Sequence, residues 1–257
     1  MKLKKFKILA AAAAAVMAVT SLTGCSMFSN AETYTGVFAD YDFSEMDLVQ
    51  LRDPEEGQPI AIIKTSKGDI TAVLYPEYAP NTVANFVARA EEGYYNDTNV
   101  FAVLESYYFL AGSDDPDGHS GVTSDGQPIA NECNVDLHPF TGALLGYREE
   151  YGYSDSRFMV CGTIGEDQMT EENFDILREQ VDEDGNRIIP EEFIDAWKEK
   201  GGLPGFSGMF TVFGQVIDGW DVMNSILGVE VEDDTSYKPV DEIKIISIEI
   251  GEYHKEA

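Results

Sequence analysis

Residues that could carry out chemistry are sparse in this chain of 257 amino acids. Its three histidines, His119, His138 and His254, lie far apart, and none has a partner in the sequence that suggests catalysis. The sequence also lacks the patterns of a Ser-His-Asp triad, a phosphate-binding loop and a paired-cysteine zinc site. The acidic run at 114–117 with His119 could ligate a metal ion, but aspartate and glycine are equally typical of turns. We therefore interpret this segment as a surface loop without a metal.

A second acidic run, DEDGN at 182–186, lies between two helical patterns and is similar to the start of a calcium-binding EF-hand loop. Such a loop needs glycine at its sixth position and a bidentate glutamate at its twelfth. Counting from Asp182, these positions hold Arg187 and Phe193. We therefore predict an exposed helix–turn–helix flap here, and no cofactor for the chain.

The stretch FAVLESYYFLAGSDD, residues 101–115, contains no lysine, arginine or histidine and is mostly apolar and aromatic. Such a stretch could form a core strand, one wall of a metal site, or the floor of a groove that binds an apolar ligand. Composition alone does not decide among these three structures, so we turn to the strands and helices predicted around the stretch.

Strand and helix patterns on either side of this stretch predict a barrel. Apolar runs at 60–65 and 70–75, around the turn SKGD, are typical of a hairpin. A helix is predicted to begin at Pro80, because apolar residues then recur at helical spacing until Gly93. Many strands with only two core helices indicate a mainly β fold that closes into a barrel. Further strands are predicted at 100–104, 107–111, 142–147, 156–161, 210–217 and 243–250, with a second short helix between Gly219 and Gly228.

Two segments lie outside this pattern. Helical patterns at 171–181 and 191–200 predict an insertion over about residues 166–202. Residues 25–59 are polar and acidic, which predicts a linker with one short strand near Leu48. The rest of the chain is divided into a barrel domain at 60–251 and a tail at 252–257.

The order of these patterns resembles the cyclophilins, a family of peptidyl-prolyl cis/trans isomerases. The resemblance rests on the blocks TSKGDITAVLYPEYAPNTVANFVARAEEGYY, PIANE, GALLGY, SRFMV, TVFGQVIDGWDVM and KPVDEIKIISIEI. It implies a closed eight-stranded antiparallel barrel capped by two helices, here with an inserted helical segment. It also implies prolyl isomerisation without a cofactor, with proline-containing segments of exported or surface proteins as partners.

Prolyl isomerisation needs a polar group at the reacting amide. The rotation barrier of a peptide bond is about 18–20 kcal/mol. A cation that donates a hydrogen bond to the prolyl nitrogen stabilises the twisted state over both planar states. The resemblance implies an arginine in a Phe-His-Arg-Val stretch, which corresponds to Phe-Ala-Val-Leu at 101–104. Val103 then stands at the arginine position, so we expect isomerase activity to be reduced.

Other departures from the family pattern also fall on the predicted groove. The family's glutamine before glycine corresponds to Ala111, its histidine to Phe210, and the Trp or His of the same stretch to Gly205. Tyr147 corresponds to a small residue in the family and is expected to narrow a side pocket. The groove is expected to be lined by Phe101, Val103, Phe109, Ala111, Tyr147, Arg157, Met159, Phe206 and Phe210.

Two explanations of these departures remain open. In the first, the groove persists as an apolar cleft, with weak catalysis or none; without catalysis, the protein is a binding module on the cell surface. In the second, the cation has moved to Arg157 or Arg148. Residues two apart on a strand share a face, so Arg157 would point the same way as Met159. We expect instead that both arginines pair with carboxylates, which are plentiful in this chain.

The first residues have the features of an export signal. Four lysines within the first seven residues precede an apolar run at 8–22, which is too short for a comfortable membrane span. The run ends in Leu-Thr-Gly-Cys at 22–25, which resembles the lipobox of bacterial lipoproteins. This resemblance implies a signal peptide at 1–24 and a lipid on Cys25 that anchors the protein outside the cytoplasm. An ordinary signal peptide with a chance cysteine is the alternative.

The charge balance limits the partners. Beyond residue 24 the chain has 13 basic and 47 acidic residues, a formal charge near −34. This charge excludes binding to nucleic acid and adhesion to anionic lipid head groups, and it favours a soluble monomer on the end of its tether. Cys133 and Cys161 could pair in an oxidising compartment or remain buried thiols, and the sequence leaves both alternatives open.

Overall fold

The computed structural model describes residues 42–150, 152–163, 170–179, 181, 185–233 and 235–255. The predicted signal peptide, the predicted lipidation site Cys25 and residues 182–184 of the second acidic run lie outside these ranges. None of the helices in the described part of the chain is long and apolar enough to cross a membrane.

The described strands form two sheets. They are β1 (Pro59–Thr65), β2 (Gly68–Leu74), β3 (Thr98–Asn99), β4 (Ala102–Leu104), β5 (Tyr108–Ala111), β6 (Ile129–Ala130), β7 (Ala143–Gly146), β8 (Tyr153–Ser154), β9 (Phe158–Cys161), β10 (Val212–Asp218) and β11 (Lys244–Glu252). Nine of them form one curled antiparallel sheet in the order β3-β11-β1-β2-β10-β7-β9-β5-β4, and β6 and β8 form a separate two-stranded sheet. The first and last strands of this order, β3 and β4, are consecutive in the chain and only two residues apart. Counted as one interrupted strand, they give eight strands and fit the predicted closed barrel.

The hairpin and the two core helices predicted from the sequence are confirmed. In β1 and β2, Ala61, Ile63 and Ile70 alternate with more exposed residues and reach the barrel interior. Helix α1 (Pro80–Glu91) begins at the predicted proline, whose fixed φ suits a first helical turn. It packs Phe86 onto the interior, as the last core helix packs Met223. The described residues form four α-helices, which are α1, α2 (Glu171–Arg178), α3 (Glu191–Lys200) and α4 (Trp220–Leu227).

The start of α1 explains one of the sequence blocks. Glu132, in the PIANE segment, accepts hydrogen bonds at Oε1 from the backbone N–H and the side chain of Asn81. Its Oε2 accepts from the backbone N–H and the hydroxyl of Thr82. A carboxylate at a helix N-terminus satisfies donors that have no intrahelical partner. This segment therefore fixes the helix at the position where it covers the barrel.

The predicted insertion is helical, and α2 and α3 share a core of their own with Phe140 of the barrel domain. The strand predicted near Leu48 is wrong. The chain forms short 3-10 turns at Phe43–Glu45 and Val49–Leu51, and Leu48 is buried against the insertion. Part of the predicted linker therefore packs on the domain rather than lying free in solvent.

Candidate functional site

The hairpin of β4 and β5 decides which residues face outward. Its register pairs Ala102 with Leu110, Val103 with Phe109 and Leu104 with Tyr108. Neighbouring residues of a strand point to opposite faces. Val103, Phe109 and Ala111 are at most 1 % exposed and pack in the barrel interior with Phe158 and Val160. The expectation that these three residues line the groove is therefore wrong.

The opposite, outer side of the same strands carries a second apolar cluster. Its buried members include Leu110 and Met159, and Ala102 and several aromatic rings lie half-buried around them. We call this surface the outer apolar face and define it by Phe101, Ala102, Tyr107, Tyr108, Leu110, Tyr147, Met159, Phe206 and Phe210.

The aromatic rings of the outer apolar face contact one another. The ring centroids of Tyr108 and Phe206 are 6.0 Å apart, and those of Phe206 and Phe210 are 5.1 Å apart. Phe101 is covered by Gly118, whose φ is +79° and where a Cβ would collide with the phenylalanine ring. Partly exposed rings in contact form a surface suited to an apolar ring such as that of proline.

Arg157 is close to this face but is not available to a substrate. Its side chain is 3 % exposed. Nε and Nη2 donate to the Asp155 carboxylate at 3.0 and 2.6 Å, and Nη2 also donates to Oε2 of Glu149 at 2.6 Å. Nη1 donates to the Gly118 carbonyl at 2.8 Å. Burial alone would lower the pKa of Arg157, but the hydrogen bonds that it donates to Asp155 and Glu149 outweigh this effect and raise the pKa.

The guanidinium of Arg157 lies over the ring of Tyr147, 5.4 Å from its centroid. It therefore supports a wall of the outer apolar face from behind instead of reaching across the face. Arg148 lies at the edge and is about a third exposed. Its Nε is 3.3 Å from Glu150, and its Nη1 is 4.0 Å from Asp155. Both arginines pair with carboxylates.

The comparisons with known proteins agree with the fold. Residues 60–250 match the family model described as cyclophilin type peptidyl-prolyl cis-trans isomerase/CLD. The chain belongs to the cyclophilin family. It is 33 % identical over 204 residues to a putative peptidyl-prolyl cis-trans isomerase of Staphylococcus saprophyticus, covering 79 % of this chain and 98 % of the relative. A protein of the same description from Staphylococcus aureus USA300 is 29 % identical over 201 residues, covering 78 % of this chain and 96 % of the relative.

Crystal structures of cyclophilins are similar to this chain in fold. A cyclophilin-type isomerase of Cryptosporidium parvum has a TM-score of 0.56 and 22 % identity, covering 78 % of this chain and 99 % of that one. A structure of the same protein, in the presence of the dipeptide Ala-Pro, has a TM-score of 0.54 and 22 % identity, covering 77 % of this chain and 99 % of that one.

Within this cyclophilin barrel, the nine predicted groove residues lie in three places: five on the outer apolar face, three in the barrel interior, and Arg157 behind Tyr147. Five of them lie together on the outer apolar face, namely Phe101, Tyr147, Met159, Phe206 and Phe210. Sequence reasoning missed Ala102, Tyr107, Tyr108 and Leu110. A signal for them was present, because Ala102 and Leu110 alternate with Val103, Phe109 and Ala111 along the two strands. Every residue in question is apolar or aromatic, so the pattern did not indicate which set faces inward.

Buried polar contacts connect the insertion of this cyclophilin to the outer apolar face. His138 is fully buried, with Nε2 2.8 Å from the Val135 carbonyl and Nδ1 3.2 Å from the Ser207 hydroxyl. Its ring lies 4.5 Å from that of Phe193 in α3. Burial lowers the pKa of His138 to about 4. Because Ser207 follows Phe206 directly, His138 is a structural link between the insertion and the outer apolar face.

Gln50 completes this link from the N-terminal segment. Its Nε2 donates to the His138 carbonyl and to Gln215, each at 2.9 Å, and its Oε1 accepts from the His138 backbone N–H at 2.6 Å. The segment that the sequence predicts as a linker thus contacts the residue that joins the insertion to the barrel.

The remaining candidates have structural roles. Cys133 and Cys161 are free thiols, and burial raises the pKa of Cys133 to about 11. In the acidic loop, Asp114 accepts from the Ser120 hydroxyl and Asp115 from the backbone N–H of Asp117. These are turn contacts, as the loop interpretation predicts.

Proposed function

We propose that this chain is a monomeric prolyl isomerase of low turnover, which binds proline-containing segments on its outer apolar face. The observation that carries this proposal is the pairing of Ala102 with Leu110 on that face. Two small or apolar side chains occupy neighbouring outward positions where the family chemistry requires hydrogen-bond donors.

The placement of Val103 supports a changed alignment with the family pattern. A side chain that acts on a substrate outside the barrel has to point outward, and Val103 points inward. Moving the alignment by one residue matches Phe-His-Arg-Val to Val-Phe-Ala-Val at 100–103. Ala102 then takes the arginine position, and Leu110 takes that of the glutamine.

The expected loss of rate follows from the chemistry of the twisted amide. Without a donor at the prolyl nitrogen, the face loses most of its preference for the twisted state over the planar states, and only such a preference accelerates the rotation. Removing one preorganised donor typically costs about 100- to 1,000-fold in rate. The apolar part of the site, which holds the proline ring, is retained.

The proposed location rests on the N-terminal sequence. A lipid on Cys25 would tether the domain outside the cytoplasm, where its clients would be exported proteins during folding. The chain between Cys25 and residue 42 can extend by at most roughly 60 Å. Separation of cells into membrane and soluble fractions, followed by mass spectrometry of the protein, tests this proposal. We expect a lipid-modified N-terminal Cys25, and an unmodified soluble protein would contradict the proposed anchor.

A binding module without catalysis is the second candidate. The contact between Phe206 and Phe210 favours it, because the outer apolar face then holds an apolar segment through ring contacts alone. The two candidates predict the same binding and differ in turnover.

Titration of the purified chain with a blocked Ala-Ala-Pro-Ala peptide, followed by NMR, tests both candidates. We expect saturable binding that shifts the signals of Tyr108 and Phe210 and that is absent for Ala-Ala-Ala-Ala. Exchange spectroscopy on the same sample measures cis/trans interconversion, where slow catalysis favours the isomerase and none favours the module. Equal responses to both peptides would contradict binding of proline segments altogether.

A further inference from the structure

Carboxylates border the outer apolar face. Glu105 lies in the exposed turn between β4 and β5, two residues before Tyr107. Glu149 and Glu150 follow Tyr147 and are both 59 % exposed at the side chain. Asp117, 56 % exposed, precedes the glycine that covers Phe101. A ligand on this face would therefore meet negative charge on several sides.

The nearby cations cancel only part of this charge. Arg148 is paired with Glu150, and Lys238 is paired with Asp117 at 2.5 Å. Arg157 contacts two carboxylates, those of Asp155 and Glu149, and one positive charge balances only one of them. Glu149 holds Arg157 and still exposes more than half of its side chain to solvent.

We propose that the outer apolar face selects proline segments that carry lysine or arginine beside the proline, with Glu149 as the residue that receives the cation. This inference rests on the proposed function and specifies its substrate class. Arg157 orients Glu149 through two hydrogen bonds and stacks on Tyr147, so the carboxylate is fixed beside the ring that bounds the face.

The charge of the whole chain acts in the same direction. A formal charge near −34 beyond residue 24 attracts cationic segments over about a Debye length, which is roughly 10 Å at 0.1 M salt. This attraction raises the binding affinity of any cationic peptide, whereas the contact with Glu149 acts only on a peptide bound at the outer apolar face. The test must therefore separate the local contact from the general attraction.

Four blocked peptides make this separation with the purified chain: Ala-Lys-Pro-Ala, Ala-Ala-Pro-Ala, Ala-Glu-Pro-Ala and Ala-Lys-Ala-Ala. We expect the Lys-Pro peptide to bind about two- to fivefold more tightly than the Ala-Pro peptide, as is typical of one exposed ion pair. The Glu-Pro peptide should bind more weakly than both. The Lys-Ala peptide should bind more weakly than the Lys-Pro peptide, because it lacks the proline. About 1 M salt should abolish the preference for the Lys-Pro peptide over the Ala-Pro peptide.

Matched variants locate the contact. Glu149→Gln should bring the Lys-Pro to Ala-Pro affinity ratio close to one. Glu249→Gln removes the same charge from β11, on the other side of the barrel, and should leave the ratio unchanged. Because the ratio compares two peptides on one protein, partial unfolding of a variant affects both alike. Glu105→Gln provides a second variant without a bond to Arg157, and it should lower the ratio by a smaller factor.

The two possible failures are distinguishable. If Ala-Ala-Pro-Ala and Ala-Lys-Pro-Ala bind equally, the charge preference is overturned while the proposed function stands. The same holds if Glu249→Gln lowers the ratio as much as Glu149→Gln, since the attraction is then not local. If the Lys-Ala peptide binds as tightly as the Lys-Pro peptide and Ala-Ala-Pro-Ala does not bind, the proposed function itself fails.

Discussion

Ala102 and Leu110 are direct cross-strand partners on the outer side of the β4–β5 hairpin, and Val103 and Phe109 are partners on its inner side. The two pairs differ by one position along the chain. That one position determines whether a substituted side chain meets a substrate or the barrel core.

Placing an arginine on each side of the hairpin tests this assignment. Ala102→Arg should fold normally and raise the rate of prolyl isomerisation by about tenfold or more, because it adds a donor on the outer apolar face. Val103→Arg places a charge among interior side chains at a cost of several kcal/mol and should lower the melting temperature sharply. A folded, faster Val103→Arg protein beside an inactive Ala102→Arg protein would show that the assignment is reversed.

Arg157 should be important for stability and not for catalysis. Arg157→Ala leaves the buried carboxylate of Asp155, whose side chain is 2 % exposed, without its main partner. Breaking a buried ion pair from one side typically costs about 3–5 kcal/mol. Arg187→Ala, which breaks an exposed pair with Glu191, should cost at most about 1 kcal/mol. Urea unfolding measures both, and a stable Arg157→Ala protein with reduced peptide turnover would contradict the structural role.

The N-terminal segment should stabilise the domain through Gln50. Gln50→Ala removes the acceptor of the buried His138 N–H and one of two donors to the His138 C=O, which keeps its bond from the Phe140 N–H. This loss is expected to cost about 1–3 kcal/mol. Gln58→Ala is the matched control. Its side chain makes one bond of 3.3 Å to Leu74 and accepts one from Glu55, and its loss should cost less than about 1 kcal/mol. Similar free energies of unfolding for the two variants would show that the segment contributes little.

Acid should destabilise the protein through His138. Its folded-state pKa of about 4 lies below the unfolded value near 6.5, so the unfolded chain takes up the proton first as the pH falls. Stability is therefore full above about pH 6.5 and decreases towards pH 4, with a loss of about 2 kcal/mol between pH 7.5 and 5.

The variant His138→Gln isolates this contribution from that of the carboxylates. It should be less stable than the wild type at pH 7.5, and its stability should fall by about 2 kcal/mol less between pH 7.5 and 5. Parallel pH dependences of the free energy of unfolding in the two proteins would exclude His138 as the titrating group.

The elements that were predicted well depend on local sequence. The β1–β2 hairpin and helices α1 and α4 have a clear apolar period and recognisable end signals, so their bounds agree with the structure within a few residues. The insertion was also recognised from its helical period, although α2 ends at Arg178, three residues before the predicted end. Val181 forms an isolated bridge with Arg187 instead.

The errors arose where tertiary contacts decide the structure. Leu48 is buried by the insertion, more than a hundred residues away in sequence, and nothing in its neighbourhood indicates this. In β4 and β5 both faces are apolar, because one faces the barrel core and the other the outer apolar face. Alternation then shows which residues share a face but not which face is inward. The position of the Arg157 side chain is also decided by tertiary contacts, namely those with the carboxylates of Asp155 and Glu149.

The turnover of the unmodified chain in a prolyl isomerisation assay tests the central claim most directly. The uncatalysed reaction takes tens to hundreds of seconds, so even weak catalysis is measurable at high protein concentration. We predict a rate constant about 100- to 1,000-fold below that of a cyclophilin with its arginine, measured on the same peptide, with saturable peptide binding retained. A rate constant equal to that of the intact cyclophilin would contradict the claim that Ala102 and Leu110 leave the site without its donors.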